Sequence, residues 1–341
     1  MKEESIFLLA IAAFVMCNLV GTGGNLAMAE PAVQANNLTP AAKFAEIKRK
    51  AESGNSDAQF ELGGMYNYGD GIPKDTAKAA EWFQKAAVQG DAGAQFMLGL
   101  AYTGGDGVLK DEAKAVKWFQ EAAAQEFAGA QYFLGLFYAS GSGVPKDVAK
   151  AADWFQKAAA QGQPNAQYNL GRMYHTGAGV PKDESKAMAW YKKAAASDDA
   201  DAQYSLGLMY ITGKGVPKDA TKAAEWFQKA AASDDADAQY SLGVMYIKGE
   251  GVPKDESKAM AWYQKAAAQG HADAQFNLGV MYVNGEGVPK DMVRAYAWLT
   301  LATAKSDDAK KARDFVGTMM TPTQLAKGRR ISSGWKMGII F

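Results

Sequence analysis

Tyr168, Arg172 and His175 stand at i, i+4 and i+7, a spacing that puts them on one face of a helix. An arginine so placed can hold a carboxylate through two parallel hydrogen bonds. Two solvated polar side chains beside a packing tyrosine is the plainer reading, and both stay open. The other histidine, His271, precedes a helical pattern with no partner ligand nearby in sequence, which favours a structural role. Two His and one Cys in 341 residues build neither a Cys/His zinc cluster nor a disulfide framework.

Other motifs also reduce to structure. Asp198-Asp199-Ala200-Asp201 and its twin from Asp234 lack the longer ligand array of a calcium loop. Acidic residues at a helix start are explained by the helix dipole. Gly213-Lys214-Gly215 is no phosphate loop, because no Ser or Thr follows the lysine. No nucleophile has a matched base. The expectation is a chain without catalytic residues, metal ligands or cofactor, and not an enzyme. With 37 Lys+Arg against 37 Asp+Glu the formal charge is zero, which argues against a nucleic-acid partner.

The elements that carry these residues repeat. The tripeptide Ala-Gln-aromatic begins at Ala58, Ala94, Ala130, Ala166, Ala202, Ala238 and Ala274, always 36 residues apart. Trp82, Trp118, Trp154, Trp190, Trp226, Trp262 and Trp298 keep the same step. A unit this short cannot bury its apolar face alone and must stack on its neighbours.

The first copy predicts two helices. Ala58, Leu62, Met65 and Tyr66 form one apolar face, beside which Gly63 allows close approach. Gly69 and Gly71 end that helix and Pro73 keeps it ended. Asp75 is the expected N-cap of the second helix. There Ala79, Trp82, Phe83 and Ala86 form the expected buried stripe, with Trp82 filling the room the alanines leave. Lys78, Glu81 and Lys85 lie between as solvated residues, and Gly90 closes the helix. Each copy is then an antiparallel helix hairpin, and such repeats wind into a superhelix. Asp198 and Asp234 stand where glycine closes the second helix, so those junctions are expected to be angled differently. Leu109 replaces the turn proline in the second copy.

The ends differ from the repeats. Ile6–Val20 is an apolar run too short to span a membrane. Ala27-Met28-Ala29 resembles a cleavage site, so residues 1–29 read as a secretory signal, with an uncleaved anchor as the alternative. Cleavage leaves the charge near neutral and removes Cys17, the only thiol, which suits an oxidising compartment. The expected location is periplasmic or secreted, with no transmembrane segment after cleavage. Residues 30–38 form a leader, 39–54 an N-terminal capping helix started by Thr39-Pro40, 55–306 the seven repeats, and 307–341 C-terminal capping helices and an apolar tail.

The pattern A-Q-x-x-L-G-x-M-Y-x-x-G-x-G-V-P-K-D-x-x-K-A-x-x-W-F/Y-x-K-A-A is complete in the fourth copy, QYNLGRMYHTGAGVPKDESKAMAWYKKAAA, Gln167 to Ala196. It resembles the Sel-one-like repeat, a relative of the tetratricopeptide repeat, over roughly residues 44–335. The resemblance implies an all-α fold, a right-handed α/α solenoid that holds protein partners, with the first helix of each copy lining the concave side. It implies an exported bacterial scaffold in envelope assembly, signalling or host contact. Some cysteine-rich relatives are reported to bind β-lactam-like compounds; a weak hydrolase of that kind is not carried over to a chain without their disulfides.

Variation between copies concentrates opposite the buried arc of the first helix. The central position there reads Leu100, Leu136, Arg172, Leu208, Val244 and Val280 in copies two to seven. With Phe133, Tyr168 and His175 these are the candidate residues of an apolar groove for a peptide or protein segment. Burial against adjacent copies is the competing reading. A peptidoglycan or polysaccharide ligand would use aromatic rings on the groove, for which Phe133 and the Tyr168, Tyr204 and Tyr240 series are the candidates. The chain is expected to act as a monomer.

Overall fold

The computed structural model describes residues 39–304 and 306–336. The signal, leader and apolar tail inferred above lie outside them. The described residues form seventeen helices and no strand. They divide into two compact units between Gln163 and Pro164.

In the first unit α1 (Pro40–Glu52) caps three hairpins: α2 (Ser56–Tyr68) with α3 (Thr76–Val88), α4 (Ala92–Gly104) with α5 (Glu112–Ala124), and α6 (Ala128–Ser140) with α7 (Val148–Ala160). The second unit holds four hairpins: α8 (Pro164–Thr176) with α9 (Glu184–Ala195), α10 (Ala200–Thr212) with α11 (Ala220–Ala232), α12 (Ala236–Lys248) with α13 (Glu256–Ala268), and α14 (Ala272–Asn284) with α15 (Met292–Ala302). Capping helices α16 (Asp307–Thr318) and α17 (Pro322–Lys336) pack on α15. Each unit is thus an all-α stack of helix hairpins, a helical-repeat solenoid, in which the two helices of a hairpin pack on each other and each hairpin packs on the next of its unit. We call the first helix of each hairpin helix A and the second helix B.

The local signals explain the helix ends. Thr39 Oγ1 accepts from the Ala42 amide, with Pro40 opening α1. Asp75 Oδ1 accepts from the Lys78 amide at 3.0 Å, and the corresponding aspartate caps each later helix B. Gly69 ends α2 with φ 76°, a left-handed conformation open to glycine. Thr321 and Gln324 form a reciprocal capping box at the start of α17.

The core corrects the sequence reading at the tryptophans. Ala79, Phe83 and Ala86 are buried, but so are Ala80 and Ala87, whereas every Trp of the series is only half-buried. Phe83, not Trp82, fills the space against Gly63. Trp82 lies at the margin of the core, with Lys85 Nζ 3.7 Å from its ring centroid. The same lysine–tryptophan contact recurs at Trp154, Trp190, Trp226 and Trp262. A helix has one stripe facing its partners, and the aromatic one residue after each Trp, or Leu299 after Trp298, occupies its centre.

A buried glutamine series escaped the sequence reading. Gln59 Nε2 donates to the Ala51 carbonyl at 3.1 Å, and its Oε1 accepts from Gln89 Nε2 at 2.7 Å. The second contact recurs in the pairs Gln125–Gln95, Gln161–Gln131 and Gln269–Gln239. These amides pin successive copies together where a buried polar group must find a partner. In the fifth copy Ser233 stands in place of the donor, and Oε1 of Gln203, itself 3% exposed, has no hydrogen-bond partner.

The turns at Asp198 and Asp234 follow the pattern of the other junctions. Both residues adopt positive φ, 58° and 60°, as Gly90 does at 95° and as Glu126 does at 60°. The Asp235 amide reaches the Ala230 carbonyl at 3.2 Å, as that of Asp91 reaches Ala86. The turn geometry is kept, at the cost of left-handed backbone in residues with a Cβ.

Candidate functional site

Helix A of copies four to seven presents one face of mixed chemistry. In α10, Asp201, Tyr204, Ser205 and Leu208 fall at i, i+3, i+4 and i+7. In α12 the same stripe is Asp237, Tyr240, Ser241 and Val244; in α14 it is Asp273, Phe276, Asn277 and Val280. In α8 it begins with Asn165 and carries Tyr168 and Arg172. In α10, α12 and α14 the half closer to the N-terminus is acidic and the other half apolar.

The aromatic position of each stripe leans on helix B of its own hairpin. Ring centroids lie 5.8 Å apart for Tyr168 and Tyr191, 5.5 Å for Tyr204 and Phe227, and 5.8 Å for Tyr240 and Tyr263, all tilted. Each tyrosine also reaches the next copy: Tyr168 toward Ser205, Tyr204 toward Ser241, Tyr240 toward Asn277. Burial holds all three phenols above their ordinary pKa.

The carboxylates are poorly compensated. Burial pushes Asp199 up to about 6, against the opposing hydrogen bond from the Ala202 amide. Burial also raises Asp201, with Arg172 pulling it back and Asp237 adding to the shift. Asp235 is raised the same way. Asp237 meets His271, whose Nε2 lies 3.1 Å from its Oδ1. Nδ1 of His271 accepts from the Ala274 amide at 3.3 Å, so in the neutral ring the proton sits on Nε2 and faces Asp237. The imidazole also stacks on Tyr240, with centroids 4.5 Å apart. His271 is thus an N-cap.

The candidate residues separate. Phe133 is fully buried and stacked on Phe119, and Leu100 is 6% exposed; neither lines an open face. Phe96, Phe119, Phe133 and Phe137 fill this part of the first unit, so close packing claims both positions. Leu136, Val244 and Val280 are half-buried, and Leu208 is 39% exposed. Arg172 is exposed, with its guanidinium carbon 6.0 Å from the Tyr168 ring centroid and its charge acting on Asp201. His175 is drawn elsewhere: its Nδ1 lies 2.6 Å from Glu184 Oε2, and Lys182 holds the other oxygen at 3.1 Å. The structure brings Tyr168 and Arg172 together and engages His175 with helix B. The sequence marks Asp201 and Asp237 only as dipole partners and does not single out Asp273; the seven-residue spacing from each to Leu208, Val244 and Val280 is the available signal.

Among the described residues no group of three or more His, Cys, Asp or Glu is placed to hold a metal ion, and no helix is long and apolar enough to cross a membrane.

The family model of the Sel1 repeat matches seven consecutive segments: residues 56–91, 92–127, 128–163, 164–199, 200–235, 236–271 and 272–307. Among solved structures, a Sel1 repeat protein from Oxalobacter formigenes is similar at 37% identity and a TM-score of 0.67, over 84% of this chain and 83% of that one. The protein c5321, a protective antigen present in uropathogenic Escherichia coli strains and displaying an SLR fold, matches at 31% identity, with a TM-score of 0.44 over 87% of this chain and 79% of its own. Helicobacter pylori cysteine rich protein B matches at 27% identity, with a TM-score of 0.32 over 38% of this chain and 92% of that one. No curated protein matches.

Proposed function

The chain belongs to the Sel1 repeat family of helical-repeat scaffolds, generally protein-interaction modules, and on that premise we propose that it binds a protein segment along helix A of copies four to seven. The observation that carries the reading is the stripe of α10, where Leu208 stays 39% exposed beside Tyr204 and Asp201. An apolar residue left open beside exposed carboxylates fits a ligand that brings both apolar side chains and positive charge. The favoured partner segment therefore carries Lys or Arg next to aliphatic residues.

The scaffold acts as an exported monomer, periplasmic or secreted, and not as an enzyme. Its place is envelope assembly, signalling or host contact. Support for export is the apolar run Ile6–Val20 followed by Ala27-Met28-Ala29. A glycan ligand is the weaker reading, because sugar stacking needs open ring faces. Tyr168, Tyr204 and Tyr240 lean on helix B, and Tyr240 is also covered by His271.

The test is affinity purification from the envelope fraction, followed by titration of the recovered partner against purified variants. Leu208→Ser and Asp201→Lys should each weaken binding by about tenfold or more. Glu225→Lys, on exposed helix B, should leave it unchanged. Equal affinity for all four proteins would overturn the assignment.

A further inference from the structure

One position of helix B carries a different cation in the seventh copy. At this position copies one to six carry Lys78, Lys114, Lys150, Lys186, Lys222 and Lys258. Each pairs with its N-cap aspartate at 3.0–3.7 Å and lies near a helix A tyrosine ring at 5.2–5.8 Å. The seventh carries Arg294, and it alone faces a second set of cations.

Helix α17 supplies them. Gly328 is buried against α15: a Cβ there would stand 2.9 Å from Tyr296 Cδ1 and 3.3 Å from the Val293 carbonyl oxygen. That close crossing sets Lys327, Arg330 and Ile331, at i, i+3 and i+4, opposite Asp291, Val293 and Arg294. The six residues line a cleft of about 310 Å³, at the small end of the range for ligand sites, ~300–1,000 Å³.

Its charge is unbalanced. Asp291 Oδ1 already accepts from the amides of Val293 and Arg294, at 2.9 and 3.0 Å, and its Oδ2 lies 3.6 Å from Arg294 Nε. Arg294 is held in place by the buried Tyr282, with its guanidinium carbon 5.7 Å from the ring centroid and Nη1 3.4 Å from the hydroxyl. Among the described residues, no carboxylate lies within ion-pair distance of Lys327 or Arg330. Three cations thus line one cleft with a single carboxylate whose lone pairs are largely engaged. Like charges brought together repel unless a counter-charge joins them. Replacing lysine by arginine supplies a planar fork suited to carboxylate and phosphate oxygens.

We propose that the cleft between α15 and α17 binds a small organic dianion, its phosphate or paired carboxylates held by Arg294, Lys327 and Arg330 and its carbon body against Val293 and Ile331. This site is separate from the helix A face and does not depend on the function proposed for it.

The experiment is calorimetric titration of the full chain with glycerol 3-phosphate and with glutarate, with sodium chloride at matched ionic strength as control. One of the two probes should bind saturably at one site, with a dissociation constant on the order of 1 mM or below. The double variant Lys327→Gln/Arg330→Gln should weaken it by about tenfold or more. Arg294→Lys, which restores the arrangement of the other six copies, should weaken it several-fold. Circular dichroism melts establish that the variants are folded, and Leu208→Ser should bind the probe like the wild type. Failure of both probes to saturate by about 10 mM, or an unchanged affinity in either cleft variant, would overturn the proposal.

Discussion

A side chain on Gly207 would collide with Phe227: a Cβ built there stands 2.5 Å from both Cδ1 and Cε1 of the ring. The glycine of helix A and the aromatic of helix B are one packing unit, repeated through the stack. Gly207→Ala should therefore destabilise by about 1–3 kcal/mol through overpacking. Phe227→Ala should cost about 3–5 kcal/mol through the cavity it leaves. Adding Phe227→Leu to Gly207→Ala should recover part of the loss, because the two sites share one volume. Trp226→Ala should cost less than Phe227→Ala, about 1–2 kcal/mol, since it loses partial burial and one lysine contact. Urea denaturation ranks the four variants; a Trp226 cost equal to that of Phe227 would refute the core assignment.

The interrupted glutamine series gives a gain-of-stability test. Ser233→Gln should offer the Gln203 Oε1 the donor that Gln269 gives to Gln239 at 3.0 Å. The expected gain is about 0.5–1.5 kcal/mol. Ser233→Ala should change little. A melting temperature for Ser233→Gln at or below that of Ser233→Ala would show that Gln203 is satisfied by other means.

Among the described residues three turns hold residues with a Cβ at positive φ: Glu126, Asp198 and Asp234. Glycine at any of them should stabilise by about 1 kcal/mol. Glu126→Gly should gain most, because Asp tolerates the left-handed region better than Glu and Asp234 also accepts from Gln239 Nε2 at 3.4 Å. Thermal melts of the single variants give the order.

Acid and base should act in opposite senses on this fold. Asp199 keeps its proton to about pH 6 in the native state, while an unperturbed aspartate titrates near 3.8. Its stabilising contribution is full below 3.8 and is lost as the pH rises through about 6. Asp201 and Asp235 shift the same way. The helix B caps Asp75, Asp111, Asp147, Asp219 and Asp255 are held below the ordinary value, first by the backbone N–H they accept. Their contribution is present above that ordinary value and is lost as the pH falls toward their native pKa. The melting temperature should peak near pH 5 and fall by roughly 2–4 °C toward pH 7.5. Asp199→Asn keeps the cap acceptor and should flatten that fall; an unchanged slope would contradict the raised carboxyl.

How far the sequence spoke depended on whether a residue's role is local. Caps, turn glycines and the 36-residue period are set within a few residues, so Asp75, Gly69 and the hairpins were legible before any coordinates. The choice between Trp82 and Phe83 was not, because adjacent positions on a helix differ by the direction of the neighbouring stack. Leu100 shares the repeat register of Leu208 and Phe133 that of Ser205, yet Phe96 and Phe119 from adjacent helices fill the space around Phe133. The acidic half of the helix A stripe was legible in spacing, but its weak compensation depends on which charges approach from the next copy.

The central claim is that a partner lies along helix A of copies four to seven. A photo-reactive benzoylphenylalanine placed at Leu208 or Val244, and at Glu225 or Lys265 on helix B, tests it directly in the envelope fraction. Adducts with the same purified partner should form from positions 208 and 244 and not from 225 or 265. Equal cross-linking from the helix B positions, or adducts from those positions alone, would contradict the account.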